Sequence, residues 1–371
     1  MLISQQQIEG QLAPLLLEWY RQNARVLPFR THSTPYRVWV SEIMLQQTRV
    51  AAALDHYNRF MQQLPTVQHL AECPEEKLMK LWEGLGYYSR ARNLQKAAQI
   101  IVQQHGGELP ADYKQLLALP GIGEYTAGAI ASISFGLPVA AVDGNVLRVF
   151  ARLYDDDSDI LRPETKKEFT QRVLRCLPAD APGDFNQALM ELGAVVCAPN
   201  GPPQCLACPV ASICRGFAAG TAPQLPVKTP PKARKIQPIT VLLVQDEQGR
   251  YLIQKRPEKG LLAGLWQPPL LEESATPDQA ADWLAQQGIT AEYKKAGKAA
   301  KHIFSHIEWK MQALCFAANG KPKADELLWA TPEQLKTEYT LPNAFKAYKA
   351  QMTGEKISKK TEKQDVLKEK L

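Results

Sequence analysis

Residues 119–128 read LPGIGEYTAG, and this run decides how the first half of the chain is read. Apolar residues at helical spacing lead into Leu119, and a second such series begins at Glu124. Between them stand Pro120 and two glycines, Gly121 and Gly123, around a single isoleucine. One glycine suffices for an ordinary connection between helices. Two allow a tight turn with its backbone exposed, and such a turn offers N–H groups at a helix N-terminus to a phosphate oxygen. The pattern predicts a helix–hairpin–helix that grips a nucleic-acid backbone and reads no sequence.

Outward from the hairpin the same periodicity continues. Residues 12–20, 40–61, 78–82, 91–102, 113–119, 125–134, 142–153, 169–177 and 185–196 repeat apolar positions as helices do. Prolines and glycines punctuate them, and no alternating pattern intervenes. Residues 1–215 are therefore expected to form an all-α domain. Residues 216–238, GFAAGTAPQLPVKTPPKARKIQP, carry five prolines and four basic residues and no acid. That composition predicts an extended, poorly packed basic linker. Beyond it, residues 239–244, 251–255, 302–317 and 327–329 are strand-like, with helices near 277–287 and 332–337. An α+β domain over 239–352 is expected, followed by a charged tail, 353–371, expected to be frayed.

The chain has 371 residues, 45% hydrophobic and 22% charged, which suits a folded protein of two or three domains. No run approaches the roughly 18 apolar residues of a membrane span, and no basic start with an apolar core opens the sequence. The net charge of +6 hints at a polyanionic partner. It is unevenly spread: residues 1–220 hold 20 Lys+Arg and 21 Asp+Glu, net −1, and residues 221–371 hold the other 24 and 17, net +7. Net charge alone does not mark the first domain as a DNA binder.

Of seven cysteines, Cys197, Cys205, Cys208 and Cys214 are spaced C-x7-C-x2-C-x5-C. Four soft ligands so close can surround one metal centre. The spacing leaves zinc and iron–sulfur both open, since it contains one C-x2-C knuckle where zinc sites usually pair two. Cys73, Cys176 and Cys315 are expected to be small buried hydrophobes. An odd count with no secretory start predicts a reducing compartment.

Two carboxylates stand out beside the hairpin. Glu42 lies in SEIMLQQT, just past a candidate N-cap at Ser41, and Asp143 lies in VDGNV, before another helix. Acids at helix starts are mostly caps. With a DNA-binding hairpin they admit a second reading, because cleaving an N-glycosidic bond passes through an oxocarbenium-like sugar. One acid protonates the leaving base and one carboxylate faces the developing cation. A helix N-terminus favours the charged form of both, so Glu42 needs burial or a nearby negative charge to hold a proton.

Glu42 in SEIMLQQT, the run GLGYYSRARNL at 84–94, the hairpin, VDGNV and the four cysteines, in that order over residues 10–215, resemble the MutY-type adenine DNA glycosylases of the endonuclease III-like helix–hairpin–helix superfamily. The resemblance implies removal of adenine mispaired with 8-oxoguanine or guanine in double-stranded DNA, after the nucleotide is flipped out of the stack. It implies one [4Fe–4S] cluster on Cys197, Cys205, Cys208 and Cys214, although the family usually has six residues, not seven, between the first two. Glu42 matches the acid that protonates adenine at N7. Asp143 matches the carboxylate that stabilises the sugar cation or its adduct, and Asn145 a residue that supports the carboxylates. Tyr125 stands where lyase members carry a lysine nucleophile, which implies a monofunctional enzyme. Arg25, Arg30 and Gln187 match the adenine pocket. Gln47 and either Tyr87 or its neighbour Tyr88 match residues inserted into the duplex.

The second domain resembles the MutT-like, or Nudix-fold, domain of the same proteins. LLAGLWQPP looks like the approach to a Nudix box, but LLEESATPDQAADW lacks its clustered glutamates. A reader is expected there and not a Mg²⁺-dependent hydrolase. Phe304-Ser305-His306 matches the loop that discriminates 8-oxoguanine from guanine. The resemblance further implies a monomer, a cytoplasmic, nucleoid-associated location and no membrane partner. Three other readings compete: a glycosylase with lyase activity on oxidised bases, opposed by Tyr125; a Nudix hydrolase of damaged nucleotides, opposed by the missing box; and a DNA-binding scaffold without catalysis, opposed by the Glu42/Asp143 pair.

Overall fold

The computed structural model describes residues 3–230 and 233–355. The chain divides into two compact units. One comprises Met1–Cys73 and Ser89–Pro231, the other Pro74–Tyr88 and Lys232–Leu371. The helices, in chain order, are α1 (Gln5–Asn23), α2 (Pro28–Thr31), α3 (Pro35–Leu45), α4 (Val50–Gln63), α5 (Val67–Glu72), α6 (Glu75–Leu81), α7 (Ser89–Gln104), α8 (Tyr113–Ala118), α9 (Glu124–Phe135), α10 (Gly144–Tyr154), α11 (Pro163–Cys176), α12 (Pro182–Val195) and α13 (Arg215–Ala218). All but α6 belong to the first unit.

Local sequence accounts for the helices that frame the site. Ser4 and Gln7 close a capping box on α1, and Ile8, Leu12, Leu16 and Tyr20 fall on one buried face. That face packs with α10, α11 and α12 into one core, with Phe150, Phe169 and Phe185 fully buried. In α9 the run Thr126–Ser132 is buried all round. A Cβ on Gly128 would sit 2.2 Å from the Ala140 carbonyl, so only glycine allows that close approach.

Two expectations are corrected here. The apolar series over 40–61 is not one helix. α3 stops at Leu45 and α4 starts at Val50, and Gln47 has φ +56° in the break. Arg90 on α7 holds the end of α3, donating to the carbonyls of Ile43 (2.7 Å), Met44 (3.1 Å) and Gln46 (2.7 Å). The break is thus made by a tertiary contact, which apolar periodicity does not register. The expected linker 216–238 is largely packed. Gly216, Ala222 and Leu225 are buried, Arg152 donates to the Leu225 carbonyl at 2.9 Å, and a strand begins at Lys235.

In the second unit the strands are β1 (Lys235–Asp246), β2 (Tyr251–Lys255), β3 (Trp266–Gln267), β4 (Leu270–Leu271), β5 (Ile289–Ala296), β6 (Ala300–Ile303), β7 (Ile307–Gly320) and β8 (Leu327–Ala330). They form a sheet of order β3-β2-β1-β7-β5, in which β4 adds to β1, β6 to β7 and β8 to β2. β1 runs parallel to β7 from Lys235↔Ile307 to Asp246↔Ala318. Alternation along β1 sorts the two faces: Ile239, Val241 and Leu243 enter one core and Leu242 and Val244 the other. α14 (Pro277–Gln286) covers the second face with Ala280 and Leu284. α15 (Pro332–Thr337) and α16 (Lys346–Thr353) cover the first with Leu335, Tyr348 and Met352. The strand expected over 302–317 is two strands, with Phe304–Ser305–His306 as the turn between β6 and β7. The stretch Pro74–Tyr88 joins this unit: Lys80 donates to the Leu335 and Tyr339 carbonyls (both 3.1 Å), and Glu83 pairs with Lys349 at 2.8 Å. Of the expected tail, residues 356–371 lie outside the described residues.

Candidate active site

The first unit holds an open cleft whose wall includes Arg30, Glu42, Tyr125, Asp143, Gln187 and Glu191. Glu42 is not at a helix start. It lies in the last turn of α3, whose N-cap is Thr34, and Ser41 is within the helix, donating to the Val38 carbonyl at 2.8 Å. The C-terminal end of a helix disfavours negative charge, the reverse of the effect expected from sequence. Glu42 is buried and accepts a 2.5 Å hydrogen bond from the Tyr125 hydroxyl. Burial pushes its carboxyl up to about 7, helped by Asp143 and opposed by the Tyr125 hydrogen bond and Arg30.

Asp143 is the N-cap of α10, as its sequence position predicts. It accepts from the amides of Asn145 and Val146, both at 2.8 Å, and from the Asn145 side-chain amide at 2.7 Å. Burial raises its pKa, while these three donors and Arg148 pull the other way. Glu42 has one such donor. Asp143 thus has three donors at a helix N-terminus favouring its charged form, where Glu42 has one and sits at a helix C-terminal end.

Arg25 and Arg30 meet on Glu191, a residue of α12 that sequence reasoning missed. Arg25 binds it through Nε at 2.5 Å and Nη2 at 2.9 Å, and Arg30 through Nη2 at 2.9 Å. Burial alone would raise the Glu191 pKa, but the two arginines outweigh it and hold the carboxyl below its ordinary value. The available signal was an acid inside the otherwise apolar run ALMELGAVV. Gln187 stands one turn earlier on α12, on the cleft wall. Gln47 is exposed at the rim, in the break between α3 and α4.

At the hairpin, α8 ends on Leu119, Gly121 turns with φ +77°, and Gly123 is the N-cap of α9. A Cβ on Gly121 would lie 2.7 Å from Asn93. Gly123 has no side chain to cap the first turn of α9, so that turn's amides stay open to an external acceptor.

Residues 40–175 match the HhH-GPD superfamily of base excision DNA repair proteins, and residues 240–351 match the NUDIX domain. The adenine DNA glycosylase of Rattus norvegicus is 34% identical, covering 91% of this chain and 78% of its own length. That of Homo sapiens is also 34% identical, covering 91% of this chain and 74% of its own. The chain belongs to the adenine DNA glycosylases. It is an enzyme of base excision repair that cleaves the bond between adenine and its sugar. A solved structure of a thermostable thymine-DNA glycosylase, 26% identical, covers 57% of this chain and 97% of its own with a TM-score of 0.52. That coverage fits the helical unit of the glycosylase.

The four cysteines of this glycosylase line one apolar cavity beside α10 and α12, with Val149, Leu192 and Val210. The loop 198–204 carries the extra residue between Cys197 and Cys205 and closes on itself, Gln204 donating to the Val196 carbonyl at 3.0 Å. No three His, Cys, Asp or Glu side chains among the described residues form a group placed to hold a metal ion. Burial pushes the Cys208 thiol up to about 12 and that of Cys214 up to about 11. Arg152 donates to the Cys197 sulfur at 3.2 Å. Arg148 donates to the Cys197 carbonyl and to the Asn145 side-chain oxygen, both at 2.9 Å. Asn145 in turn holds Asp143, so a continuous hydrogen-bonded path joins Cys197 to the carboxylate. Cys73, Cys176 and Cys315 are buried, as expected.

The other anticipated residues lie in the second unit. Tyr87 is 48% exposed with φ +46°, whereas Tyr88 is 6% exposed. Phe304, Ser305 and His306 form the β6–β7 tip, with Ser305 and His306 exposed. Phe304 is braced between rings, 4.6 Å from His302 and 4.8 Å from Trp309. Glu272, in the stretch LLEESATPDQAADW, pairs with Arg256 at 3.4 Å.

Proposed function

We propose that this adenine glycosylase acts on adenine opposite 8-oxoguanine, and opposite guanine, in double-stranded DNA, by hydrolysis and without strand cleavage. The observation that carries the reading is the contrast within the pair: a buried Glu42 whose carboxyl burial pushes up to about 7, and an Asp143 that caps α10 and accepts three hydrogen bonds. Glu42 donates its proton to N7 of the flipped adenine, which leaves as a neutral base. Asp143 faces the sugar cation, or the adduct it forms. Asn145 holds Asp143 in place, and Arg25, Arg30 and Gln187 line the adenine pocket. Tyr125 has no amine with which to form a Schiff base, so the abasic product stays unbroken.

The uncapped amides of the first turn of α9, after Gly123, suit a phosphate of the DNA backbone. Gln47 and Tyr87 are the residues we assign to insertion, since both are exposed on backbones held at positive φ, while Tyr88 packs inside. Ser305 and His306 read the N7–H and O8 edge of 8-oxoguanine, the chemical difference from guanine. Glu272 is paired with Arg256, which favours a reader over a hydrolase. Four cysteines lining one apolar cavity could surround one metal centre, and we assign one [4Fe–4S] cluster to Cys197, Cys205, Cys208 and Cys214. We further assign a monomer in the cytoplasm, associated with the nucleoid.

The test is incubation with a duplex bearing adenine opposite 8-oxoguanine, resolved on a gel with and without hot alkali. Strand breaks only after alkali are expected. Breaks without alkali, or no preference for 8-oxoguanine over guanine or an ordinary A:T pair, overturn the reading. Iron and sulfide content, with a visible charge-transfer band, tests the cluster.

A further inference from the structure

Glu191 is a buried acid on an otherwise apolar stretch of α12, its side chain 0% exposed. A carboxylate in that position is costly unless paired, and both of its oxygens are taken. Arg25 closes on it with two guanidinium nitrogens and its backbone amide at 3.3 Å, and Arg30 adds a third side-chain donor. Arg30 is held further by its Nη1 bond to the Arg25 carbonyl at 3.3 Å and by lying 5.6 Å over the Tyr20 ring.

This cluster shares a cleft with the acid. Glu42 is faced by Tyr125 from α9, by Asp143 from α10 and by Arg30 from α2, with Arg49 and Glu124 farther along the wall. Arg30 favours the charged form of Glu42, which cannot protonate a base. That pull would grow if nothing neutralised the guanidinium groups on the cleft wall. We propose that Glu191 is a positioning residue for base excision, holding Arg25 and Arg30 so that their charge is kept off Glu42 and Glu42 retains its proton. The inference rests on the reading of Glu42 as the acid. A purely architectural Glu191 would tie α2 to α12 and leave the protonation of Glu42 alone, and the two roles differ in pH dependence.

The test is the single-turnover rate on duplex with adenine opposite 8-oxoguanine, measured against pH for the wild type, Glu191→Gln, Arg30→Gln and the double variant. With Glu191→Gln the alkaline fall in rate is expected to move at least about one pH unit lower, a loss of about tenfold near neutrality with the acidic plateau largely kept. Adding Arg30→Gln should return the midpoint toward that of the wild type. A loss of equal size at every pH, unrelieved by Arg30→Gln, overturns the inference. If Glu191→Gln does not fold, Arg30→Gln alone decides: its midpoint should rise, and an unmoved midpoint overturns the inference. Full activity of Glu42→Gln would instead sink the underlying mechanism, so the two failures are separable.

Discussion

The Tyr125 hydroxyl donates to Glu42 at 2.5 Å, and this bond favours the charged carboxylate against the burial that favours the acid. In the proposed mechanism this bond makes Tyr125 a tuner of the proton donor. Removing the bond with Tyr125→Phe should raise the Glu42 pKa, so the alkaline fall in rate should shift upward by about half to one unit. A pH–rate profile reads this directly, and a downward shift would contradict the assignment.

Glu42→Gln keeps the shape of the side chain and removes the proton. Excision should fall by about 10²–10⁴-fold, while binding to the mispaired duplex by gel shift stays within about threefold of wild type, because phosphate contacts dominate affinity. Normal turnover would remove Glu42 from the mechanism.

The same substitution has a stability signature. Burial holds the Glu42 carboxyl near 7 in the folded protein, against an ordinary value of 4.5. The folded state therefore binds the proton more tightly than the unfolded one. Stability is full below the unfolded pKa and falls as pH rises through about 4.5 to 7. The ceiling is on the order of 3 kcal/mol, less the share carried by Asp143. Glu42→Gln should match the wild type in urea unfolding near pH 4 and exceed it near pH 8. A difference that does not vary with pH would contradict the buried proton.

Gly193 gives access to Asp143 from behind. A Cβ there would lie 2.7 Å from the Asn145 Cβ, and Asn145 holds Asp143 at 2.7 Å. Gly193→Ala should cost about 1–3 kcal/mol of stability by overpacking and lower kcat about tenfold with KM little changed. Unaltered kcat would mean that Asn145 need not hold its place.

At the β6–β7 tip, Ser305→Ala with His306→Ala should lower the ratio of rates on adenine opposite 8-oxoguanine and opposite guanine. A single lost pair of hydrogen bonds predicts a change of about ten- to hundredfold. An unchanged ratio would assign the preference elsewhere.

Much of this was legible in the chain. The two glycines after Pro120 placed the hairpin to the residue, and VDGNV placed Asp143 as a cap, because turns and caps depend on local backbone chemistry. Glu42 was found but set in the wrong part of its helix. Ser41 looks like a cap, and the true one, Thr34, precedes a proline that also reads as a boundary. The break at Gln47 and the clamp at Glu191 were not legible, since each depends on arginines far off in sequence: Arg90 for one, Arg25 and Arg30 for the other. The packed part of 216–238 was hidden for a related reason. Ala222 and Leu225 sit among prolines, and composition weighs the prolines first.

The assignment of Pro74–Tyr88 to the second unit bears on modularity. The chain passes from one unit to the other after Cys73, returns at Ser89 and leaves again after Pro231. Cutting within the basic segment would therefore not yield two whole pieces. The helical fragment would keep a strip belonging to the other, with Lys80 and Glu83 stripped of Leu335, Tyr339, Leu341 and Lys349. The isolated sheet fragment would lack that strip in turn. Any exchange of the second unit for that of a relative has to carry residues 74–88 with it.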